Sequence, residues 1–304
     1  MNPYVLPPNV RRSDLRYNII KTITQLKNDN PTKAAIYNIQ FIDPIPEYFL
    51  KNKSYVLKQY KLSQDDPNLS DIIYMIAANE VKINQIIYSH YQECSENITC
   101  FFDVSSDGKY VYLVGELFDM DLNEFRRLIQ KYNKIEKLKI SFPIYYNIIS
   151  GLSTLDELGI IHNDIKLENI FVKKLNNHKI KISIADFDIS CSNYLKDIQC
   201  KYFVGTSELM DPFLIKEKLI NKNVIPDKSE YDTYSASLTI YQLLFEIIQF
   251  PNEIIKIIDN IYNVTSEEKN KIIKFYDIFY KSLKDNINSL LSEVNNTTLL
   301  NSIE

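Results

Sequence analysis

The chain has 304 residues, 45% hydrophobic and 24% charged, enough for one large domain or two packed lobes with a sizeable core. Its formal net charge of −4 excludes the strong basic bias of a nucleic-acid or anionic-membrane binder, although a local basic patch stays open. Cys94, Cys100, Cys191 and Cys200 form no C-x-x-C pair and the three histidines do not cluster with them, which argues against zinc and for free thiols in a reducing, intracellular, cytoplasmic setting.

The N-terminus lacks the charged-then-apolar pattern of a signal peptide, and no apolar run approaches the roughly 18 residues of a membrane helix. Residues 1–13 read as an irregular arm. From about Tyr17 to Tyr60 the pattern is strand-like, with a turn at Asn28-Asp29-Asn30-Pro31. Ser54 to Tyr60 is a predicted strand carrying Lys58. Leu69 to Tyr91 reads as a helix that Ser70 or Asp71 can cap, with Ile73, Ile76, Ile83 and Ile87 as its apolar stripe. Glu80 falls inside that stripe, so its carboxylate faces the core side and needs a cationic partner.

Phe101–Val104 and Tyr110–Val114 flank Asp107-Gly108, a hairpin signal. Gly115 to Asp121 breaks the strand pattern and leads into a helix near Leu122, which places a lobe boundary here. Beyond it the chain turns mainly helical. Ile140 to Leu158 is a predicted helix ending at Gly159, followed by short strands at Ile170–Val172 and Ile180–Ile184. Tyr231 to Ile248 is a buried apolar helix, and residues 252–304 read as further helices.

His162-Asn163-Asp164-Ile165-Lys166-Leu167-Glu168-Asn169 resembles the catalytic loop H-R-D-x-K-x-x-N of protein kinases, and Ala185-Asp186-Phe187-Asp188 resembles their D-F-G segment. Tyr55-Val56-Leu57-Lys58 is similar to the strand that carries the family's lysine, and Glu80 to its helix partner. Leu113-Val114-Gly115-Glu116-Leu117 resembles the hinge, with the small Gly115 guarding the back of the pocket. Val204-Gly205-Thr206-Ser207-Glu208-Leu209-Met210-Asp211-Pro212 resembles the end of the activation loop. Asp232 resembles the buried helix aspartate that braces the catalytic loop. These motifs run in order over roughly residues 17–250, and the last fifty match nothing recognisable.

The resemblance implies an α+β, bilobal protein-kinase-like fold: a small β-rich N-lobe with one main helix (about 14–114), a hinge (about 115–121) and a larger, mainly helical C-lobe (about 122–304). It implies phosphoryl transfer from ATP, with Mg²⁺ or Mn²⁺, to a protein serine or threonine hydroxyl. Asp164 and Lys166 would be catalytic. Lys58, Glu80, Glu116 and Leu117 would bind ATP, and Asn169 and Asp186 the metal. A protein substrate is the implied partner. Such a reaction needs positioning and charge neutralisation more than covalent chemistry, which suits these residue types.

The absent glycines and Asp188 point to an alternative, a pseudokinase acting as a nucleotide-binding or scaffolding module. The segment Leu26–Ala35 holds no glycine where the family has G-x-G-x-x-G, leaving phosphate contacts to side chains such as Lys27 or Lys33. Asn163 replaces the arginine that reads activation-loop phosphorylation, and Asp188 replaces a glycine. Phe213 replaces a glutamate whose late arginine partner is also missing, since no arginine follows Arg127.

Overall fold

The computed structural model describes residues 17–24, 32–42, 53–91, 96–175, 179–192, 205–221 and 229–296. The expected N-terminal arm, the 28–31 turn and Lys27 lie outside the described residues.

Strands β1 (Tyr17–Thr24), β2 (Ala35–Phe41) and β3 (Ser54–Lys61) precede helix α1 (Pro67–Tyr91), and β4 (Phe101–Ser106) and β5 (Tyr110–Glu116) follow it. They make one antiparallel sheet in the order β1-β2-β3-β5-β4. The β4–β5 hairpin closes where expected. Gly108 takes φ +82°, and Asp107 Oδ1 accepts the amides of Lys109 and Tyr110 at 2.9 and 2.7 Å. Period-two alternation gives the sheet two apolar faces. Tyr60, Val111 and Leu113 pack under Ile73, Ala77, Ala78 and Val81 of α1, while Ile39, Tyr55, Leu57 and Val114 cluster on the other side.

Helix α1 starts earlier than Ser70 or Asp71. Asp66 Oδ1 accepts the Leu69 amide at 3.2 Å and Pro67 opens the helix, where its missing N–H costs nothing. Its far end belongs to the other lobe, because Ile83 and Ile87 join the core of the helical part. The loop after it is pinned there too. Asn97 Nδ2 donates to Asn147 Oδ1 (2.8 Å) and Ile182 O (3.1 Å), and Asn97 O accepts the Ile184 amide at 2.8 Å. Gly151 makes room for this: a Cβ there would sit 3.0 Å from Asn97 O and 2.9 Å from the Ile184 side chain.

The helical part begins with β6 (Met120–Asp121), α2 (Leu122–Ile129) and α3 (Lys134–Glu157). Asp121 caps α2 by accepting the Glu124 amide at 2.7 Å. A capping box of Asn133 and Glu136 starts α3 six residues before the expected Ile140, and Gly159 at φ +59° follows its end. Then come β7 (Ile160–Ile161), β8 (Ile170–Lys174), β9 (Ile180–Ile184) and β10 (Cys191–Ser192), with β6-β8-β9 as a small sheet and β7 paired to β10. Helices α4 (Pro212–Ile220), α5 (Glu230–Leu244), α6 (Asn252–Asp259) and α7 (Ser266–Asn296) complete the chain. The core packs Ile144, Ile148 and Leu155 of α3 against Ile170, Val172, Ile184 and Ala236.

The result is the bilobal α+β arrangement, sheet-rich then helical. The expectation of free thiols fails at Cys100, which is disulfide-bonded, while Cys191 is buried and in no disulfide. A cysteine count says nothing about which sulfurs the fold brings within bonding reach. Among the described residues, no helix is long and apolar enough to cross a membrane.

Candidate active site

Lys58 and Tyr60 stand two residues apart on β3 and so point to the same face, toward α1. Glu80 projects from α1 to meet them. Its carboxylate is 1% exposed and takes Lys58 Nζ at 2.9 Å and the Tyr60 hydroxyl at 2.8 Å. Lys58 Nζ also reaches Asp186 Oδ1 at 2.6 Å, so one ammonium joins the sheet, the helix and the segment after β9. Burial alone would lower the Lys58 pKa, but Asp186 and Glu80 together hold it well above its ordinary value. Burial raises the Glu80 carboxyl despite these hydrogen bonds. Asp186 is pulled below the usual range by Lys58, against its own desolvation.

The loop between β7 and β8 carries the second group. Lys166 Nζ bonds Asp164 Oδ2 at 2.5 Å, and Thr206 Oγ1 donates to Asp164 Oδ1 at 2.6 Å. Asn169 Nδ2 donates to Asp164 O and Oδ2 at 2.9 and 3.0 Å. Asp232, buried on α5, accepts the amides of His162 (2.6 Å) and Asn163 (2.9 Å) and fixes the loop from beneath. His162 Nε2 meets Ala185 O at 2.9 Å, and the Ala185 amide donates to Asn169 O at 2.9 Å, so the two groups are braced together.

Backbone conformation accounts for Asn163, one of the departures, and for Gly205 beside it. Asn163 has φ +69°, a left-handed conformation that asparagine tolerates better than most side chains. Its Nδ2 bonds Ile189 O at 3.3 Å. Asn163 thus contacts the chain after Asp186 directly. Gly205 has φ +125° and lies against Asn163 O, where a Cβ would come within 2.3 Å. Only glycine lets the chain approach closely enough to deliver Thr206 to Asp164.

At the hinge, Glu116 is held by its side chain. Lys173 on β8 and Lys181 on β9 bond its two oxygens at 2.5 and 2.7 Å, and these bonds keep its carboxyl below the ordinary range despite burial. Both ammonium groups lie over the Phe118 ring, at 5.9 and 5.6 Å. Leu117 is half-buried beside them. Gly115 does not leave open space behind it: a Cβ would meet Cys100 O at 2.9 Å and the Phe101 ring at 3.2 Å. Lys33 is exposed.

The donor set suits a hard divalent cation. Asn169 spends its amide N–H groups on Asp164, which leaves its amide oxygen as the atom a cation could use. Asp186 adds a carboxylate that is 35% exposed. Among the described residues no three His, Cys, Asp or Glu side chains gather as a complete metal-binding group. Phosphate oxygens and water would have to complete the shell. Asp188 adds a further acid nearby, its carboxyl pushed up to about 7 by burial and by Asp186.

A model of the protein kinase domain matches residues 49–301. It therefore takes in α6 and α7, which the sequence alone left unassigned. Over 149 residues the chain is 32% identical to a probable serine/threonine-protein kinase of Encephalitozoon cuniculi, covering 49% of this chain and 25% of that protein. It is 27% identical over 192 residues to mitogen-activated protein kinase kinase 1c of Physcomitrium patens, covering 63% and 49%. It is 25% identical over 199 residues to the dual specificity protein kinase Ttk of Danio rerio, covering 65% and 19%. The matched stretches thus span from about a fifth to about half of these relatives.

Proposed function

We propose a function from one premise: this chain belongs to the protein kinase family. The function is transfer of the terminal phosphoryl group of ATP to a serine or threonine hydroxyl of a protein. The observation that carries it is the convergence of two linked groups, Lys58–Glu80–Asp186 and Asp164–Lys166–Asn169, braced through Ala185. Thr206 on Asp164 supports the serine/threonine reading.

Mg²⁺ or Mn²⁺, held by Asp186 and the Asn169 amide oxygen, supplies neutralisation of phosphate charge when bound. Lys58, fixed by Glu80, is the cation for the non-transferred phosphates. The hinge backbone at Glu116 and Leu117 receives the adenine. Asp164 orients the substrate hydroxyl and accepts its proton as that oxygen bonds to phosphorus and ADP leaves. Lys166, beside Asp164, neutralises the moving phosphoryl group.

A second reading, a nucleotide-binding module without transfer, is favoured by Asp188, a buried acid next to Asp186. Radiolabelled ATP with a mixed protein substrate separates the two readings, with Asp164→Asn as control. Transfer predicts labelling that falls at least about 100-fold in the control. No labelling above the control, with ATP still raising the melting temperature, would leave the module reading.

A further inference from the structure

Beside Glu80 on α1 stands Asn79, which takes no part in the chemistry above. It is 6% exposed. Its Nδ2 lies 3.1 Å from Phe187 O, 3.2 Å from Asp188 O and 2.8 Å from Ser190 O. Asparagine is a poor helix former, and burying an amide is costly unless it is bonded. Here two N–H groups are shared among three carbonyls of an irregular segment. That segment starts at Asp186, itself at φ +69°, outside the region most residues favour.

The opposite side of the same segment is held by the catalytic loop. The Ser190 hydroxyl donates to His162 O at 3.1 Å, Asn163 bonds Ile189 O at 3.3 Å, and the Phe187 ring meets His162 edge-on at 4.9 Å. Residues 187–190 are therefore clamped between α1 and the loop by these uncharged groups. Moving α1 outward would strand the Phe187 and Ser190 carbonyls in a buried setting. It would also part Glu80 from Lys58, because Asn79 and Glu80 are consecutive.

We propose that Asn79 is a positioning residue that keeps α1 docked on residues 187–190 in the unphosphorylated chain, so that Lys58, Glu80 and Asp186 are set without a phosphate on the loop. Its importance for catalysis rests on the transfer reading above; the docking itself does not.

The test compares the phosphatase-treated full chain with Asn79→Ala, Asn79→Asp and Asn79→Ser by amide hydrogen exchange without nucleotide. Peptides covering 186–192 should exchange at least tenfold faster in the Ala and Asp variants and by less in Ser, which keeps one donor. Peptides of α5 should stay within about twofold. If Ala folds poorly, the near-isosteric Asp variant and the Ser variant carry the comparison. Unchanged exchange at 186–192, or an equal rise throughout the protein, would overturn the proposal. If exchange responds while the wild-type chain labels no substrate, docking stands and the transfer reading fails. If wild type labels substrate and exchange does not respond, the reverse holds.

Discussion

Replacing Lys58 by methionine removes the one ammonium that sits 2.9 Å from Glu80 and 2.6 Å from Asp186. Asp186 is open enough to recruit water or a cation. Glu80, 1% exposed, keeps only the Tyr60 hydroxyl among the bonds described above. Breaking a buried pair by deleting one partner costs about 3–5 kcal/mol, against a typical domain stability of about 5–15 kcal/mol. The protein should therefore fold but lose much of its margin, as well as all transfer. The cost must depend on pH. Burial raises the Glu80 carboxyl even with Lys58 present, and more so without it. The folded variant then binds a proton the unfolded chain has released, so its stability falls as pH rises through the folded pKa. Urea unfolding should show a small loss near pH 5 and the full loss at pH 8. Adding Glu80→Gln should recover at least half of that loss, since the stranded charge is gone. A loss below about 1 kcal/mol at pH 8, or no recovery in the double variant, would refute this account of the Lys58–Glu80 pair.

Asp188→Asn should stabilise the metal-free protein at pH 8 and leave it unchanged near pH 4. The Asp188 carboxyl, raised to about 7, favours its protonated form in the fold, so the penalty builds as pH climbs from the ordinary carboxyl range and is complete above that value. Melting temperatures at both pH values check this, and equal gains would contradict it. Gly115→Ala should cost about 1–3 kcal/mol, because the added Cβ meets backbone Cys100 O at 2.9 Å; an unchanged melting curve would show that β4 yields freely. Phosphatase treatment should leave the transfer rate on an exogenous substrate intact, since Asn163 contacts Ile189 directly and carries no charge to read a phosphate. A loss of more than about tenfold, roughly 1.4 kcal/mol of barrier, that rephosphorylation restores would overturn that expectation. Among the described residues, the hydroxyls between Asp186 and Pro212 that such a kinase could phosphorylate are Ser190, Ser192, Thr206 and Ser207.

Much of the site was legible because its residues obey local periodicities. Glu80 interrupts an apolar helix stripe, Lys58 sits on an alternating strand, and Asp164 to Asn169 form one short loop. Tyr60 repeats Lys58 at the strand period, but a tyrosine near the end of a strand reads as core, and only the fold brings its hydroxyl to Glu80. Asn79 carried a similar signal, a polar residue three after Ile76 and four before Ile83, and reads as merely tolerated. The partners of Glu116 had no sequence signal: Lys173 and Lys181 alternate on a hairpin like any solvent-facing lysines, and only the folded hinge brings them to one carboxylate. Helix α1 starts ahead of Ser70 and Asp71 because Asp66-Pro67 supplies both a cap and a first-turn proline, a signal as local as theirs.

The grip of Lys173 and Lys181 on Glu116 bears on how the two lobes can rock. It ties the end of β5 to the β8–β9 hairpin, so a rotation that pivots there would keep this joint intact. The β1 edge lies three strands away, about 14 Å at the usual strand spacing, and a rotation of roughly 10° about the clamp would carry that edge about 2.4 Å. Next to the clamp the displacement is close to zero. A rotation hung at Glu116 would thus act like a door, widest at the free margin of the sheet and nearly still at the jamb.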